Sequence, residues 1–263
     1  MAAFANPRAV RNGLVAIRRQ SIVASLRRVI IGLPHLHFRS IGSTNERARQ
    51  AATDGAPGGL LVTAAEQTAG RGRQGRPWDT PAGAALAWSV LIRQPIEVPG
   101  PLPLKVGVGV CEAVESFGLG GVELKWPNDV WISGRKCAGI LVEARPGEGW
   151  AVAGVGLNLA IPDDGFPEEL RGRATSVGSG VSFDRAVVAL NSRVGAALDR
   201  PDEETLQAFS RRDALRGRRV EWDEGSGTGA GIDRQGNLLV ESPTGCLTAL
   251  NAGEVHLSLP VAE

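Results

Sequence analysis

The sequence predicts an α+β fold: a mixed, mostly antiparallel sheet with flanking helices, followed by a small C-terminal β-barrel. Three observations carry this expectation. Short apolar runs bounded by Gly, Pro, Asn and Asp recur through residues 36–160 and read as strands joined by tight turns. Between and after them lie stretches whose apolar residues repeat at helical spacing. From Arg216 onward only brief apolar runs between Gly and Asn turns remain, the pattern of a small β-module of about fifty residues.

In chain order, Leu36–Ile41 reads as a strand. Ser43-Thr44-Asn45, then Glu46 and an Ala/Arg-rich run to Thr53, reads as a helix with a polar N-terminal cap, closed by the turn residues 54–59. Leu60–Glu66 is a buried strand, followed by a long Gly/Arg loop from Gln67 to Pro81 and a second strand at Ala84–Ile92. Leu102–Phe117 has a helical period. Val122–Lys125 is a strand, Asp129–Ile132 and Lys136–Ala144 form a hairpin across Ser133-Gly134, and Trp150–Ala160 pairs onward. Helices are expected at Asp184–Leu198 and Glu203–Ala214, then strands at Arg219–Trp222, Gly229–Ile232, Leu238–Glu241 and Leu247–Ala249. The expected organisation is an N-terminal extension over 1–35, poorly ordered or helical, a main domain over 36–215 and the β-module over 216–263.

A 263-residue chain with 43% hydrophobic and 22% charged residues is long and apolar enough to bury a substantial core, which excludes a disordered polymer. The net charge of +1 supplies no global drive toward nucleic acid or an anionic membrane. The three cysteines, Cys111, Cys137 and Cys246, fit neither a disulfide framework nor a CxxC metal site and suit a reducing cytoplasm. Apolar runs fall far short of the roughly 20 residues that span a bilayer. Residues 1–45 hold seven arginines and no acid, so the start of the chain is either a transit-like amphipathic segment or an extension without a role in the fold.

Function is concentrated in a few segments. In Gln67–Trp78, QTAGRGRQGRPW, glycines let the backbone approach a ligand while Arg71, Arg73 and Arg76 supply forked cations for phosphate or carboxylate. No GlyLysSer or GlyLysThr follows, so it is not a Walker loop, and the strand-to-helix setting of a dinucleotide fingerprint is missing. KWPNDV, residues 125–130, puts Lys125 at a strand end before a proline turn. GRKCAGILVE, 134–143, and GVGLN, 154–158, set glycines inside strands, as expected where a ligand lies against the backbone. Taken singly, each has an ordinary alternative: a solvated RG-rich loop, a solvated lysine, or close sheet packing.

Together, in the order GSTN, QTAGRGRQGRPW, KWPNDV, GRKCAGILVE and GVGLN, the segments resemble the catalytic domain of biotin protein ligases, and the stretch after Arg216 resembles that family's SH3-like domain. The resemblance implies a class II synthetase-like catalytic fold and two half-reactions: ATP and biotin form biotinyl-5′-AMP, and a lysine of a biotin carboxyl carrier protein then takes the biotin. Magnesium accompanies ATP, and no protein metal site is implied. It implies a biotin site of Ser43, Thr44, Asn45, Gln67, Arg71, Gly72, Arg73 and Lys125, with Lys125 and Arg73 catalytic, and an ATP or adenylate site of Arg73, Arg76, Trp78, Asn128 and Asn158. Only about 35 residues precede the first expected strand, fewer than the roughly sixty of a winged helix-turn-helix, so the resemblance is to ligases without operator binding. A homodimer stays open. Two rivals also stand: a lipoate ligase or octanoyltransferase of related fold, and a nucleic-acid-binding module using the basic N-terminus and the RG loop.

Overall fold

The computed structural model describes residues 30–93, 100–251, 253 and 255–257. The basic segment 1–29, most of the expected extension, lies outside the described residues. Seven strands make the main sheet: β1 (His35–Phe38), β2 (Leu61–Ala64), β3 (Ala85–Ile92), β4 (Val122–Lys125), β5 (Asp129–Ile132), β6 (Arg135–Arg145) and β7 (Trp150–Asn158). Their order is β1-β2-β3-β7-β6-β5-β4. Only β1 and β2 run parallel, joined through α1 (Thr44–Thr53); every other pairing is antiparallel, so the mixed, mostly antiparallel expectation holds.

The period-2 pattern of the central strands decides which face each residue serves. On β3, Trp88, Val90 and Ile92 enter the core with α2 (Leu102–Glu115) and α3 (Phe183–Leu198), whereas Leu91 packs under α1 with Ala48, Ala51 and Ala52. On β7, Val155 and Leu157 face the same core as Trp88, which turns Gly154, Gly156 and Asn158 to the opposite side of the sheet. Both faces of β3 are covered, which explains a strand buried along its entire length.

Helix α1 starts where its cap predicts: Ser43 is extended and its side chain accepts a hydrogen bond from the Glu46 N–H. Helix α4 (Asp202–Ser210) stops before the expected Ala214. Past it the chain becomes an edge partner of β4, with Leu124 N–H donating to Arg212 O at 2.7 Å and Ala214 N–H to Leu124 O at 3.2 Å. Sheet hydrogen bonds thus replace the last helical turn.

The C-terminal module is a five-stranded antiparallel sheet of β8 (Arg219–Trp222), β9 (Gly225–Ile232), β10 (Leu238–Glu241), β11 (Leu247–Leu250) and β12 (His256–Leu257), ordered β11-β10-β9-β8-β12. β9 begins four residues earlier than expected, and β12 was not expected at all, being two residues long. The two sheets share one apolar cluster in which Val220, Leu238 and Val240 join Leu104 and Leu124. Trp126 crosses between them, its indole N–H donating to Gly236 O at 2.9 Å.

Candidate active site

A cavity of about 610 Å³ opens on the face that carries Gly154, Gly156 and Asn158. All the residues singled out from the sequence line it: Ser43, Thr44 and Asn45 from the start of α1; Gln67, Arg71, Gly72, Arg73, Arg76 and Trp78 from the Gly/Arg loop; Lys125 and Asn128 from the β4–β5 turn; and Asn158 from the end of β7. Arg73 and Lys125, 52 positions apart in sequence, share this one chamber.

At the α1 end the site is tightly bonded. Gln67 Oε1 accepts from Thr44 N–H at 2.8 Å and from Thr44 Oγ1 at 3.0 Å. Ser89 Oγ lies 2.7 Å from both Thr44 Oγ1 and Asn45 Oδ1, so its single proton is shared between them. Asn45 Nδ2 donates to Glu143 Oε2 at 2.9 Å and to Leu141 O at 3.3 Å. Arg49 anchors the same carboxylate from behind, with Nη1 2.6 Å from Glu143 Oε1. The amide of Asn45 therefore serves protein partners on both ends and lies on Gly154, where a methyl group would overlap it.

The Gly/Arg loop is a miniature hairpin. Arg71 bridges Pro77, Gly72 N–H donates to Arg76 O at 2.8 Å, and the reversal passes through Gln74 and Gly75, whose φ values of 55° and 73° are left-handed. Gly75 takes that conformation without a steric cost. Beyond the tip, the Trp78 indole packs against Gly139 and Gly156, which are register partners on β6 and β7. A methyl on either glycine would strike the indole. These glycines line the cavity and admit the Trp78 indole close to the backbone.

The cations follow. Lys125 Nζ sits 5.4 Å from the centre of the Trp131 ring. Lys136, which the sequence reading passed over as one position in a Gly-bearing strand, also lines the cavity: its Nζ is 2.7 Å from Asp129 Oδ1 and 5.4 Å from the Trp78 ring centre. Arg73 Nη1 reaches Asn128 Oδ1 at 3.4 Å, while Asn128 Nδ2 donates to Ile140 O at 3.1 Å. Asn158 is buried and donates to Thr175 O at 2.9 Å, which fastens the segment 163–175 along the rim. That segment also pairs with β6, with Lys136 N–H donating to Arg173 O at 2.8 Å and Thr175 N–H to Lys136 O at 2.8 Å. Lys136, Asp129, Trp131 and Ser89 are among the lining residues that the sequence reading missed. Asp129 stands within the KWPNDV segment and Lys136 within GRKCAGILVE, so both lay inside segments already singled out, whereas Ser89 sits in an otherwise apolar strand and gave no signal.

Burial pushes the Cys137 thiol up to about 12, and Cys111 is raised for the same reason, so both are inert packing groups behind the site. Among the described residues no group of three or more His, Cys, Asp or Glu could hold a metal ion, and no helix is long and apolar enough to cross a membrane.

Comparison with known proteins places this arrangement. Residues 37–159 match the model of the Biotin/lipoate A/B protein ligase family. The bifunctional ligase/repressor BirA of Salmonella typhimurium is 35% identical over 215 residues, covering 76% of this chain and 67% of that protein. The chain belongs to the biotin/lipoate A/B protein ligase family. Within it, a biotin–acetyl-CoA-carboxylase ligase of Mycobacterium tuberculosis is 41% identical over 144 residues, 52% of each chain. The biotin protein ligase of Aquifex aeolicus, solved in complex with biotin and ATP, superposes with a TM-score of 0.73 at 26% identity, covering 85% of this chain and 98% of that one. The chain spans about half the length of other curated relatives it matches.

Proposed function

We propose that this chain is an ATP-dependent biotin protein ligase that forms biotinyl-5′-AMP and transfers biotin to a lysine of a biotin carboxyl carrier protein or domain. The observation that carries the reading is the convergence of residues from five separated segments on one cavity, with arginines and lysines at one end and a hydrogen-bonded polar cluster at the other. A neutral polar cluster suits a ureido head group, and the cations suit a carboxylate meeting a triphosphate. The C-terminal sheet is consistent with the SH3-like module expected for such a ligase, and association into a homodimer belongs to the same reading.

In the first half-reaction a carboxylate oxygen of biotin attacks the α-phosphorus, a P–O bond to pyrophosphate breaks, and the mixed anhydride forms. Lys125 and Lys136 offset the negative charge that concentrates between the two anions, and fixed cations placed before the reaction supply much of such a rate gain. Mg2+ bound to the ATP phosphates spreads their charge. In the second half-reaction the neutral amine of the acceptor lysine attacks the acyl carbon, AMP leaves, and the amine loses a proton. Arg73, tied to Asn128 across the cavity mouth, holds the Gly/Arg loop over the anhydride and keeps water from it. Biotin-dependent ATP–pyrophosphate exchange on purified protein, followed by labelling of a carrier domain, tests the proposal. Exchange supported by lipoate or octanoate and not by biotin would refute it, as would tight nucleic-acid binding at physiological salt with no exchange.

A further inference from the structure

Lys125, the last residue of β4, is flanked on both sides by residues bonded to the chain beyond α4. Before it, Leu124 donates its N–H to Arg212 O and accepts from Ala214 N–H. After it, the buried Trp126 donates its indole N–H to Gly236 O at 2.9 Å. Gly236 belongs to the turn 233–237 between β9 and β10, and that turn is braced independently of the indole. Asp233 Oδ1 accepts from the N–H groups of Gln235 and Asn237, both at 2.9 Å, and Asp233 Oδ2 accepts from Asn237 Nδ2 at 2.8 Å. The Gly236 N–H donates to Asp233 O at 3.1 Å, and its φ of 85° is one that glycine adopts without strain. The C-terminal module borders the cavity through His256 and Leu257 of β12, whereas neither Asp233 nor Gly236 lines it. The bond to Trp126 ties this braced turn to the residue next to Lys125.

We propose that Trp126 and Asp233 are positioning residues through which the 233–237 turn fixes how Lys125 enters the cavity, so that a bond outside the active site sets the rate of adenylate formation. The other end of the β4–β5 turn is held within the main sheet: Asn128 O accepts from Ile140 N–H at 2.9 Å, and Asn128 Nδ2 donates to Ile140 O at 3.1 Å. Residues 125–128 are therefore clamped at Asn128 by β6 and at Trp126 by the turn. Releasing the second clamp frees the lysine to shift against the other cations of the site. A fixed charge that stabilises a transition state loses effect steeply with displacement, up to about a hundredfold in rate for about 1 Å, while binding of a neutral head group at the α1 end is left alone. The inference rests on the ligase reading, in which Lys125 offsets charge at the α-phosphate.

The test measures biotin-dependent ATP–pyrophosphate exchange on the intact chain. Trp126→Phe keeps an aromatic ring and removes the indole N–H, and Asp233→Ala unbraces the turn from outside the cavity. Each is expected to lower kcat about tenfold with the KM for biotin within about twofold. Because both act on one tie, the double variant is expected to stay within about twofold of Trp126→Phe, where independent effects would multiply to about a hundredfold. Asp233→Asn keeps the Oδ1 acceptor and is expected to return kcat to within about twofold of wild type. A merely structural tie would lower the melting temperature and leave kcat of the folded protein unchanged. Should Trp126→Phe fail to fold, Asp233→Ala and Asp233→Asn decide between the two. Wild-type kcat in Asp233→Ala, or multiplying losses in the double variant, would overturn the inference and leave the ligase reading standing. Wild-type protein without biotin-dependent exchange would overturn that reading and the inference with it.

Discussion

The two ends of the cavity are built on opposite principles. At the α1 end, Thr44, Asn45 and Ser89 are buried at 3%, 8% and 0% exposure, and each side chain is committed to protein partners. At the other end, Arg71, Gln74, Gly75, Arg76 and Pro77 are exposed on a narrow hairpin. The difference teaches where each kind of discrimination is located. A polar cluster fixed before the ligand arrives recognises a neutral head group at little ordering cost, whereas an exposed cationic hairpin can close on anions and reopen for the acceptor.

Breaking the cationic end should produce the largest effects. Lys125→Ala and Lys136→Ala are each expected to lower kcat of biotin-dependent exchange by about 10²- to 10³-fold, about 3–4 kcal/mol of transition-state stabilisation, with little change in melting temperature. Activity near wild type in both would remove the lysines from the chemistry. Arg73→Gly is expected to act differently: exchange persists, while unrelated proteins become biotinylated because the anhydride escapes. Bystander labelling measured by streptavidin blot decides the matter, and a signal equal to wild type counts against the loop as a barrier.

Smaller changes sharpen the comparison between the ends. Gly156→Ala places a methyl against the Trp78 indole and should raise the biotin KM about tenfold, an overpacking cost of about 1–3 kcal/mol borne by the loop rather than by the sheet. An unchanged KM would mean the indole is not part of the cavity wall. The smallest effect concerns the thiols. With its thiol raised to about 12, Cys137 is thiolate in only about one part in 10⁴ at pH 8, so maleimide should label Cys246 alone in the native protein and leave exchange intact. Native labelling of Cys137 with loss of activity would contradict the burial of β6.

Much of this could be read from the sequence because local chemistry and tertiary structure agree. Ser43 caps α1 as its residue type suggests, the alternation in Gly154-Val155-Gly156-Leu157-Asn158 fixes which side of β7 meets the cavity, and Lys125 ends its strand at the expected residue. What could not be read depends on partners distant in the chain. Trp78 covering Gly139 and Gly156, the α4 terminus yielding to an edge strand beside Leu124, and Ser89 bonding back to α1 all join elements at least thirty residues apart. β12, two residues long, is too short for any periodic signal. Lys136 was hidden because it sits among glycine-spaced strand residues whose pattern drew attention to the backbone.

Retention of the adenylate measures the shared chamber most directly. Protein mixed with biotin and α-labelled ATP and passed rapidly through a gel-filtration column is predicted to carry close to one labelled AMP group per chain, with the label lost in Lys125→Ala and washed out in Arg73→Gly. Wild-type protein that turns over ATP with biotin yet carries no label, or label retained equally by all three proteins, would contradict a chamber formed jointly by the arginine loop and the lysines.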